Sequence, residues 1–490
     1  GAAPGWIVGA RPGARTAALA RRFGARRLTD LGTYLVPAGH ARAFADGLRQ
    51  TGLLSFAEPN VRRHRSAFEA DPGGWSRGAI ASPTLAVPPL DPKAQAGIVD
   101  QRVDITRPDL KNVTILPGST PNVDGGHGTE GASVIGAAAD GEGILGTYPG
   151  VHINAYGVPL DFDCADSAAG INAVRKSGVA AINMSYGSTS PCFAEFRELQ
   201  YALANGVVTV AASGNEFQAG NPVTYPAGLP HVLSVAAVGK DLKPSSFSTA
   251  NAAVDLAAPG EEVPVDSPPA YDQDGTIDGF SLVDGTSFAA PAVTGAAAFV
   301  KAARPELSAG QVADVLRATA TDVDAKGYDS NTGYGLVNLD RAVVAPAPAV
   351  DPLEPNDEIM WVDGTAFTKA DKPIYDGRRT ATLRALVDQV EDPLDVYRIK
   401  VPARSRATIT LKPRYGDPDL ELFRQSATST SQTSRLIAAS RRNGTATDSS
   451  TLVNGGARYA IAYVVVEIDP RVKNLAAGYT LTVRKAAARR

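Results

Sequence analysis

The stretch Asp284-Gly285-Thr286-Ser287-Phe288-Ala289-Ala290-Pro291 decides how this chain is read. An Ala-rich run with apolar residues at helical spacing, residues 289–303, follows at once, so a helix starts here. Ser287 at that junction has two readings. Its hydroxyl can cap the helix. It can also be a nucleophile, held where backbone N–H groups and the positive helix end favour developing negative charge. Small neighbours suit the second reading, because a substrate backbone must come close. Pro291 lacks a backbone donor, so an irregular first turn is expected. A nucleophile also needs a base and an orienting carboxylate elsewhere in the chain.

Around this stretch, residues 95–345 alternate short apolar runs (97–99, 151–155, 179–184, 207–211, 232–238) with helical patterns (129–138, 168–177, 193–205, 286–303, 308–320). The alternation predicts an α/β fold with a parallel sheet, whose site residues lie at the carboxyl ends of strands. With 490 residues there is room for two or three domains. Residues 1–67 read as a small α+β unit in the order β-α-β-α-β. Residues 68–94 are rich in Gly, Pro and Ser and read as a linker or extended arm open to proteolytic nicking. A second linker covers 346–352. Residues 353–490 lose helical periodicity and read as a β-sandwich of about 130 residues.

Net charge is −3 but unevenly spread. Residues 1–65 hold 11 Arg against three acidic residues, net +8, whereas residues 71–345 hold 15 basic and 30 acidic residues, net −15. These are either two separately solvated surfaces or a basic segment that docks on an acidic one. The basic segment has few aromatics and a foldable pattern, so nucleic acid is not expected as a partner. No apolar run approaches ~18 residues, so no membrane span is expected. No signal-peptide pattern remains, and a leader removed before Gly1 is compatible with that. The two Cys, Cys164 and Cys192, lie in polar stretches. A disulfide, which needs an oxidising compartment, is preferred over two buried thiols. No Cys/His spacing suits zinc.

Of five His, only His127 sits in a Gly-rich turn opening a helix, Gly125-Gly126-His127-Gly128-Thr129, where its ring is accessible to act as a base. A capping or solvated His is the alternative. Asp100 follows the strand residues 97–99 and can orient that base or merely cap a turn. Asn215, after Ala211-Ala212-Ser213-Gly214, stands at another strand end, where it can donate to an oxyanion.

In order and spacing, Asp100, His127, Asn215 and Ser287 resemble the subtilisin-like serine proteases, the subtilase family. Ile98-Val99-Asp100 with Arg107-Pro108-Asp109-Leu110, His127-Gly128-Thr129, Tyr225-Pro226-Ala227, Phe247-Ser248 and Ala258-Pro259-Gly260 match further landmarks across residues 95–345. The resemblance implies a triad of Asp100, His127 and Ser287, with Asn215 in the oxyanion hole. It implies that Ser185-Tyr186-Gly187 and Ala212-Ser213-Gly214 bracket the substrate. Thr224 is then near the floor of a medium-sized, mainly apolar pocket suiting Leu, Phe or Tyr, with Glu216 at its rim.

The chain departs from the family at Gln101-Arg102, where Thr/Ser-Gly is usual. An Arg there can compete for Asp100 or point away. Gly131 replaces a branched residue and Phe288 replaces the commoner Met. The N-terminal unit, through its element order and Ala57-Glu58-Pro59-Asn60, resembles the subtilase propeptide, which assists folding and inhibits until cleaved. Glu354-Pro355-Asn356-Asp357, Asp417-Pro418-Asp419-Leu420 and Gly478-Tyr479 resemble the bacterial pre-peptidase C-terminal domain appended to many secreted proteases.

The expected protein is a secreted serine endopeptidase made as a self-processing zymogen. Its partners are protein or peptide substrates and its own propeptide, and it needs no cofactor for catalysis. Structural calcium near Asp140 and Glu142, where many subtilases bind it, stands beside the alternative of a solvated turn. In a subtilase-like sheet the Cys164 and Cys192 loops flank one end of the cleft. The rival is an inactive binding protein on a subtilase scaffold, its triad spoiled by Arg102. An esterase is disfavoured because Ser287 lacks a Gly-x-Ser-x-Gly elbow.

Overall fold

The computed structural model describes residues 2–61, 75–82, 84–123, 125–139, 143–272, 277–366, 369–389, 391–468 and 476–486. The chain forms two compact units, residues 1–349 and 350–490. Among the described residues no helix is long and apolar enough to cross a membrane.

The first unit opens with β1 (Ala2–Ala10), α1 (Ala14–Arg22), β2 (Arg26–Arg27), β3 (Thr33–Val36), α2 (Ala38–Gln50) and β4 (Leu54–Val61). They form an antiparallel sheet of order β2-β3-β1-β4. Two-residue β2 is too short to leave a sequence period, and the β-α-β-α-β reading lacks it. One sheet face packs Val8, Tyr34 and Val36 against Ala20, Phe44 and Leu48 of the two helices. Alternation along the strands turns Ile7, Leu35 and Phe56 to the opposite face.

Part of the expected linker is docked. Helix α3 (Ser76–Ile80) is held by a hydrogen bond from Trp75 Nε1 to Glu262 O, 3.2 Å. Just beyond it, Ser82 N and Oγ donate to the Asp340 carboxylate, 2.8 Å each. The apolar pair Ile80-Ala81 enters the main core, and that pair is the signal the composition of the stretch hides.

The central sheet has seven parallel strands: β5 (Ala96–Asp100), β6 (Val113–Ile115), β7 (Ile153–Gly157), β8 (Ala181–Met184), β9 (Val208–Ala212), β10 (Val232–Val238) and β11 (Leu256–Pro259). Their order is β11-β10-β9-β8-β5-β7-β6. Its longer strands are buried on both faces, which is why they read as unbroken apolar runs. Covering helices are α4 (His127–Gly136), α5 (Cys164–Lys176), α6 (Phe193–Ala204), α7 (Thr286–Ala303), α8 (Ala309–Thr319) and the short α9 (Leu339–Ala342), with an antiparallel pair β12 (Val263–Asp266) and β13 (Phe280–Val283). After β7 the chain passes β5 to enter β8. The winding therefore changes direction at β5, whose last residue is Asp100, and such switch points open a crevice at the carboxyl ends.

Helix α7 is buried over residues 286–300 and is apolar on all sides, as a core helix must be. Its small residues permit close approach: a Cβ at Gly295 would lie 2.8 Å from Ile135 O of α4.

The second unit holds α10 (Ile359–Val362) and β14 (Ala381–Asp388), β15 (Leu394–Val401), β16 (Ser405–Tyr415), β17 (Pro418–Arg424), β18 (Leu436–Ser440), β19 (Asp448–Asn454), β20 (Ala460–Ile468) and β21 (Ala476–Lys485). Two antiparallel sheets, β14-β21-β16-β19 and β15-β20-β17-β18, enclose a core that includes Ile409, Leu481, Ile399 and Val464. This is the expected sandwich. Strand β20 is buried on both faces, because Ile359 and Val362 of α10 pack against its Ile461, Tyr463 and Val465.

Candidate active site

The start of α7 is fixed by its neighbours. Gly285 has φ 149°, a conformation that only glycine adopts without strain. Its N–H donates to Gly260 O (2.7 Å), and Asp284 Oδ1 accepts from Glu262 N (2.7 Å). Gly285, not Ser287, holds the cap position, so Ser287 enters as the second helical residue, 1% exposed. The helix also runs unbroken through Pro291, contrary to the expected irregular turn. The proline has no N–H for Ser287 C=O, four residues back. Ser185 Oγ supplies the missing donor at 2.7 Å, and itself accepts from Asn183 Nδ2 at 2.9 Å.

Asn215 is aimed from the same place. Its Oδ1 accepts from Thr286 N (3.0 Å) and Thr286 Oγ1 (2.9 Å), while Thr286 Oγ1 accepts from Gly214 N (3.2 Å). With the oxygen held, the amide NH₂ faces the other way and can donate.

His127 is the first residue of α4, and its Nδ1 meets Asp100 Oδ1 at 2.7 Å. The same oxygen accepts from Gln101 N (2.6 Å), and Gln101 Oε1 accepts from His127 N (3.1 Å). A Cβ at Gly125 would strike the Gln101 side chain and one at Gly128 its backbone, which accounts for glycines around His127. The departure at Gln101 therefore fastens the His127 turn. Arg102 points away, donating from Nη1 to Thr120 O at 3.0 Å. Phe288 stacks against the His127 ring with centroids 5.7 Å apart. Gly131 fits beneath Ile98, whose Cδ1 would be 3.3 Å from an added Cβ. A buried His bonded to a carboxylate, and an oriented amide next to a helix-start Ser, are the kinds of group that acyl transfer can use.

The segments expected to bracket substrate come together. Ser188 and Tyr225 exchange backbone hydrogen bonds (3.0 and 2.8 Å). Thr224 Oγ1 donates to Ser213 O (2.9 Å), and Thr224 Cβ would lie 3.3 Å from a Cβ on Gly187. Thr224 thus ties Ser213 and the flanking Ala212 and Gly214 to the Ser185–Gly187 segment. Tyr186 turns its ring inward onto Phe162, edge-on at 5.0 Å. Glu216 is engaged by Thr249 Oγ1 (3.1 Å).

Two acids near the site escaped the sequence reading. Glu130, one turn past His127, is buried, and burial raises its pKa; its Oε1 accepts from Ser267 Oγ (2.9 Å). Asp266, paired with Arg107, is pushed up to about 6, chiefly by burial. A charged residue inside the otherwise small and apolar α4 is the one signal that marks Glu130.

Cys164 and Cys192 form a disulfide with Cα atoms 6.2 Å apart. They do not occupy polar loops. Cys164 begins α5, Cys192 caps α6, and both are buried against Ile7.

Asp140 and Glu142 lie outside the described residues. In the second unit Asp351, Asp392 and Asp395 each bring a carboxylate oxygen within 4.8 Å of the others. Burial, and after it the neighbouring Glu354 carboxylate, hold Asp392 and Asp395 well above the usual carboxylate range. Asn356 Nδ2 donates to Asp395 Oδ1 (2.8 Å), and Asp392 Oδ1 and Asn356 Oδ1 are buried without a partner among the described residues. Such an oxygen-only donor set fits a hard cation.

The profile of the subtilase family matches residues 94–335. Subtilisin DY of Bacillus licheniformis is 34% identical over 257 residues, 51% of this chain and 90% of that protein. Fervidolysin of Fervidobacterium pennivorans is 34% identical over 298 residues, 52% of this chain and 41% of that protein. In structure, fervidolysin, described as a keratinolytic enzyme related to subtilisin, aligns with a TM-score of 0.62 at 17% identity over 95% of this chain and 92% of that one. The structural likeness is one of fold. The sequence likeness goes further: the chain belongs to the subtilase family and is a subtilisin-like serine endopeptidase.

Proposed function

We propose that this subtilase is a secreted enzyme made as a self-processing zymogen, with Asp100, His127 and Ser287 as its triad. The observation that carries the reading is that two hydrogen-bonded pairs, Asp100 with His127 and Thr286 with Asn215, lie on either side of the contact between the His127 ring and Phe288, the residue after Ser287. Ser287 Oγ attacks the peptide carbonyl carbon while His127 takes its proton. The carbonyl oxygen becomes an oxyanion, held by Asn215 Nδ2 and the Ser287 N–H, one of the first-turn donors with no helical partner. His127 then protonates the leaving amine, and water releases the acyl group by the same steps in reverse. Asp100 holds the imidazole tautomer throughout. No cofactor takes part in these steps.

Ser185, Tyr186, Gly187, Ala212, Ser213 and Gly214 would wall the main pocket and Thr224 its floor, suiting Leu, Phe or Tyr. Arg102, bonded to Thr120 O, gives the inactive-scaffold alternative no support.

Residues 1–61 would serve as the core of the prodomain. Glu58 caps α6, accepting from Phe193 N and Ala194 N at 2.5 and 2.6 Å. Asn60 bonds Asp163 and accepts from Ala165 N (3.0 Å) at the start of α5. Self-cleavage is expected after Arg65 and before the docked Trp75. A structural calcium at Asp351, Asp392 and Asp395 is proposed on the close approach of their carboxylate oxygens, two of the three acids being buried.

The test is full-length protein, wild type against Ser287→Ala, with N-terminal sequencing and a fluorophosphonate label. Wild type should self-cleave and label, and Ser287→Ala should do neither. A Ser287→Ala chain that is cut in the absence of other proteases has a different nucleophile or processing route.

A further inference from the structure

Residues 1–61 sit on α5 and α6 through an interface that is mostly well made. Ile7, Leu28, Leu35 and Phe56 pack on Cys164, Ala165, Ala168, Cys192 and Ala194. Phe56 meets Phe193 edge-on at 4.6 Å, and Arg175 donates to Asp30 Oδ1 at 2.7 Å. Glu58 and Asn60 cap the two helices, as above.

The centre of the same interface is badly made. Arg197 of α6 is 0% exposed, and none of its three guanidinium nitrogens has a hydrogen-bond partner among the described residues. The guanidinium is closed in by the N-terminal sheet: the Phe56 ring centroid is 5.5 Å away, and a Cβ on Gly9 would lie 2.8 Å from Nη1. Glu198, next in sequence, is also 0% exposed. Its nearest cation is Arg175 Nη2 of α5 at 3.5 Å, which is already engaged by Asp30 and by Asn172 Oδ1 (2.9 Å). Thr29 lies near its carboxyl without reaching hydrogen-bond geometry. The charged and titratable groups acting on this pair are Arg175 from α5, Asp30 from the turn between β2 and β3, and Tyr34 from the far face of the N-terminal sheet.

Burying a charge without good partners opposes docking, and replacing it by an apolar side chain of similar size strengthens packing. An inhibitory domain that must leave gains from such a flaw, because capping and apolar contacts can fix its orientation while the centre limits its affinity. We propose that Arg197 and Glu198 are a release element: their enforced burial loosens the docked N-terminal domain, and loosens it further as pH rises from acid to neutral. The inference rests on the zymogen reading above.

The pH sign follows from Glu198. Burial, against the pull of Arg197, pushes its pKa to about 7 in the docked state, whereas an exposed Glu titrates near ~4.3. Docking therefore takes up a proton. It is strongest below the exposed value, weakens up to about tenfold per pH unit between the two, and levels off above pH 7. Asp166 is raised by burial and by Asp163 of its own helix cap, while Arg26 of the docked domain lowers it, so it adds a pH dependence of its own. The Glu198 share is thus read as a difference in slope.

The experiment uses the full chain and separates two events. The cut is followed on denaturing gels, and free activity on a peptide substrate, from pH 5 to 8. Arg197→Met should be cut at the wild-type rate but gain activity roughly tenfold more slowly. Arg197→Lys, which keeps the charge, should behave as wild type. Glu198→Gln should flatten the pH dependence of activity release. In parallel, hydrogen exchange of uncut Ser287→Ala should show about tenfold less opening of β4 when Arg197→Met is added. Arg197→Met that gains activity as fast as wild type, or an unchanged pH slope in Glu198→Gln, overturns the proposal. Absence of any cut in wild type refutes the zymogen reading instead, and the exchange measurement still decides the role of Arg197.

Discussion

Asp100 and Arg197 are both charged and both buried, at 3% and 0% exposure, in the same unit of the chain. Asp100 Oδ1 holds two N–H groups, and each neighbour of the site is tied in turn: Gln101 to His127, Thr286 to Asn215, Ser185 to Ser287. Arg197 makes no side-chain hydrogen bond among the described residues and has only the Phe56 ring against its guanidinium. Buried polarity that is hydrogen-bonded fixes a geometry, and buried polarity without partners stores a preference for some other state. On the release proposal, one region is built to stay and the other to be uncovered.

The sharpest way to break the first half of that contrast is to change a tied group without changing its shape. Asp100→Asn should lower kcat by about 10⁴-fold with KM little altered, because the amide no longer favours the productive His127 tautomer. A loss under tenfold would mean that Asp100 does not orient the base. Asn215→Leu should cost about 10²–10³ in kcat, a magnitude known from subtilisin itself rather than from this chain. Steady-state kinetics on a soluble peptide reads both.

The order of elements around these residues was legible because buried parallel strands leave unbroken apolar runs and helices leave a 3.6 period. Asp100, His127, Asn215 and Ser287 were marked as candidates because each stands at a strand end or helix start among small residues, and the subtilase resemblance joined them into one proposed site. What was hidden depends on contacts between distant segments. Three-residue β6 and two-residue β2 are too short for a period. Ile80-Ala81 was masked by its Gly- and Pro-rich surroundings, although two buried residues suffice to anchor α3. Nothing local marks Arg197 as buried: on α6 it reads as a solvated charge until the N-terminal sheet is laid over it. Cys164 and Cys192 looked polar because their neighbours in sequence are; their neighbours in space are Ile7 and Ala168.

Two intermediate effects sharpen the comparison. Reducing the Cys164–Cys192 bond, or replacing both by Ala, should destabilise the first unit by roughly 2–4 kcal/mol in denaturant unfolding. Because the bond pins the starts of α5 and α6, its loss should also weaken the seat of Glu58 and Asn60. Two alkylatable thiols in native, non-reduced protein would contradict the bond. The acids of the second unit are a third kind of buried polarity, carboxyl groups crowded on one another. Calcium at a hundredfold excess over its Kd should stabilise that unit by about 2.7 kcal/mol, and Asp392→Asn should remove most of the response. An unchanged Tm with excess calcium and with chelator would leave Asp392 and Asp395 paired by shared protons.

The smallest expected effect tests whether orientation alone matters. Thr286 is fully buried, and its hydroxyl both donates to Asn215 Oδ1 and accepts from Gly214 N. Thr286→Val keeps the volume and leaves Asn215 held only by the Thr286 N–H. The amide is then free to rotate out of line with a developing oxyanion, so kcat should fall about tenfold while KM, set by ground-state contacts, stays within twofold. The unpaired Gly214 N–H should cost roughly 1–3 kcal/mol of stability. Thr286→Ser, which restores the hydroxyl but not the methyl group, separates the two contributions: kcat should return to near wild type even if part of the stability does not. If Thr286→Val loses stability but keeps its kcat, Asn215 is aimed by the backbone alone, and the ties around the site serve folding more than catalysis.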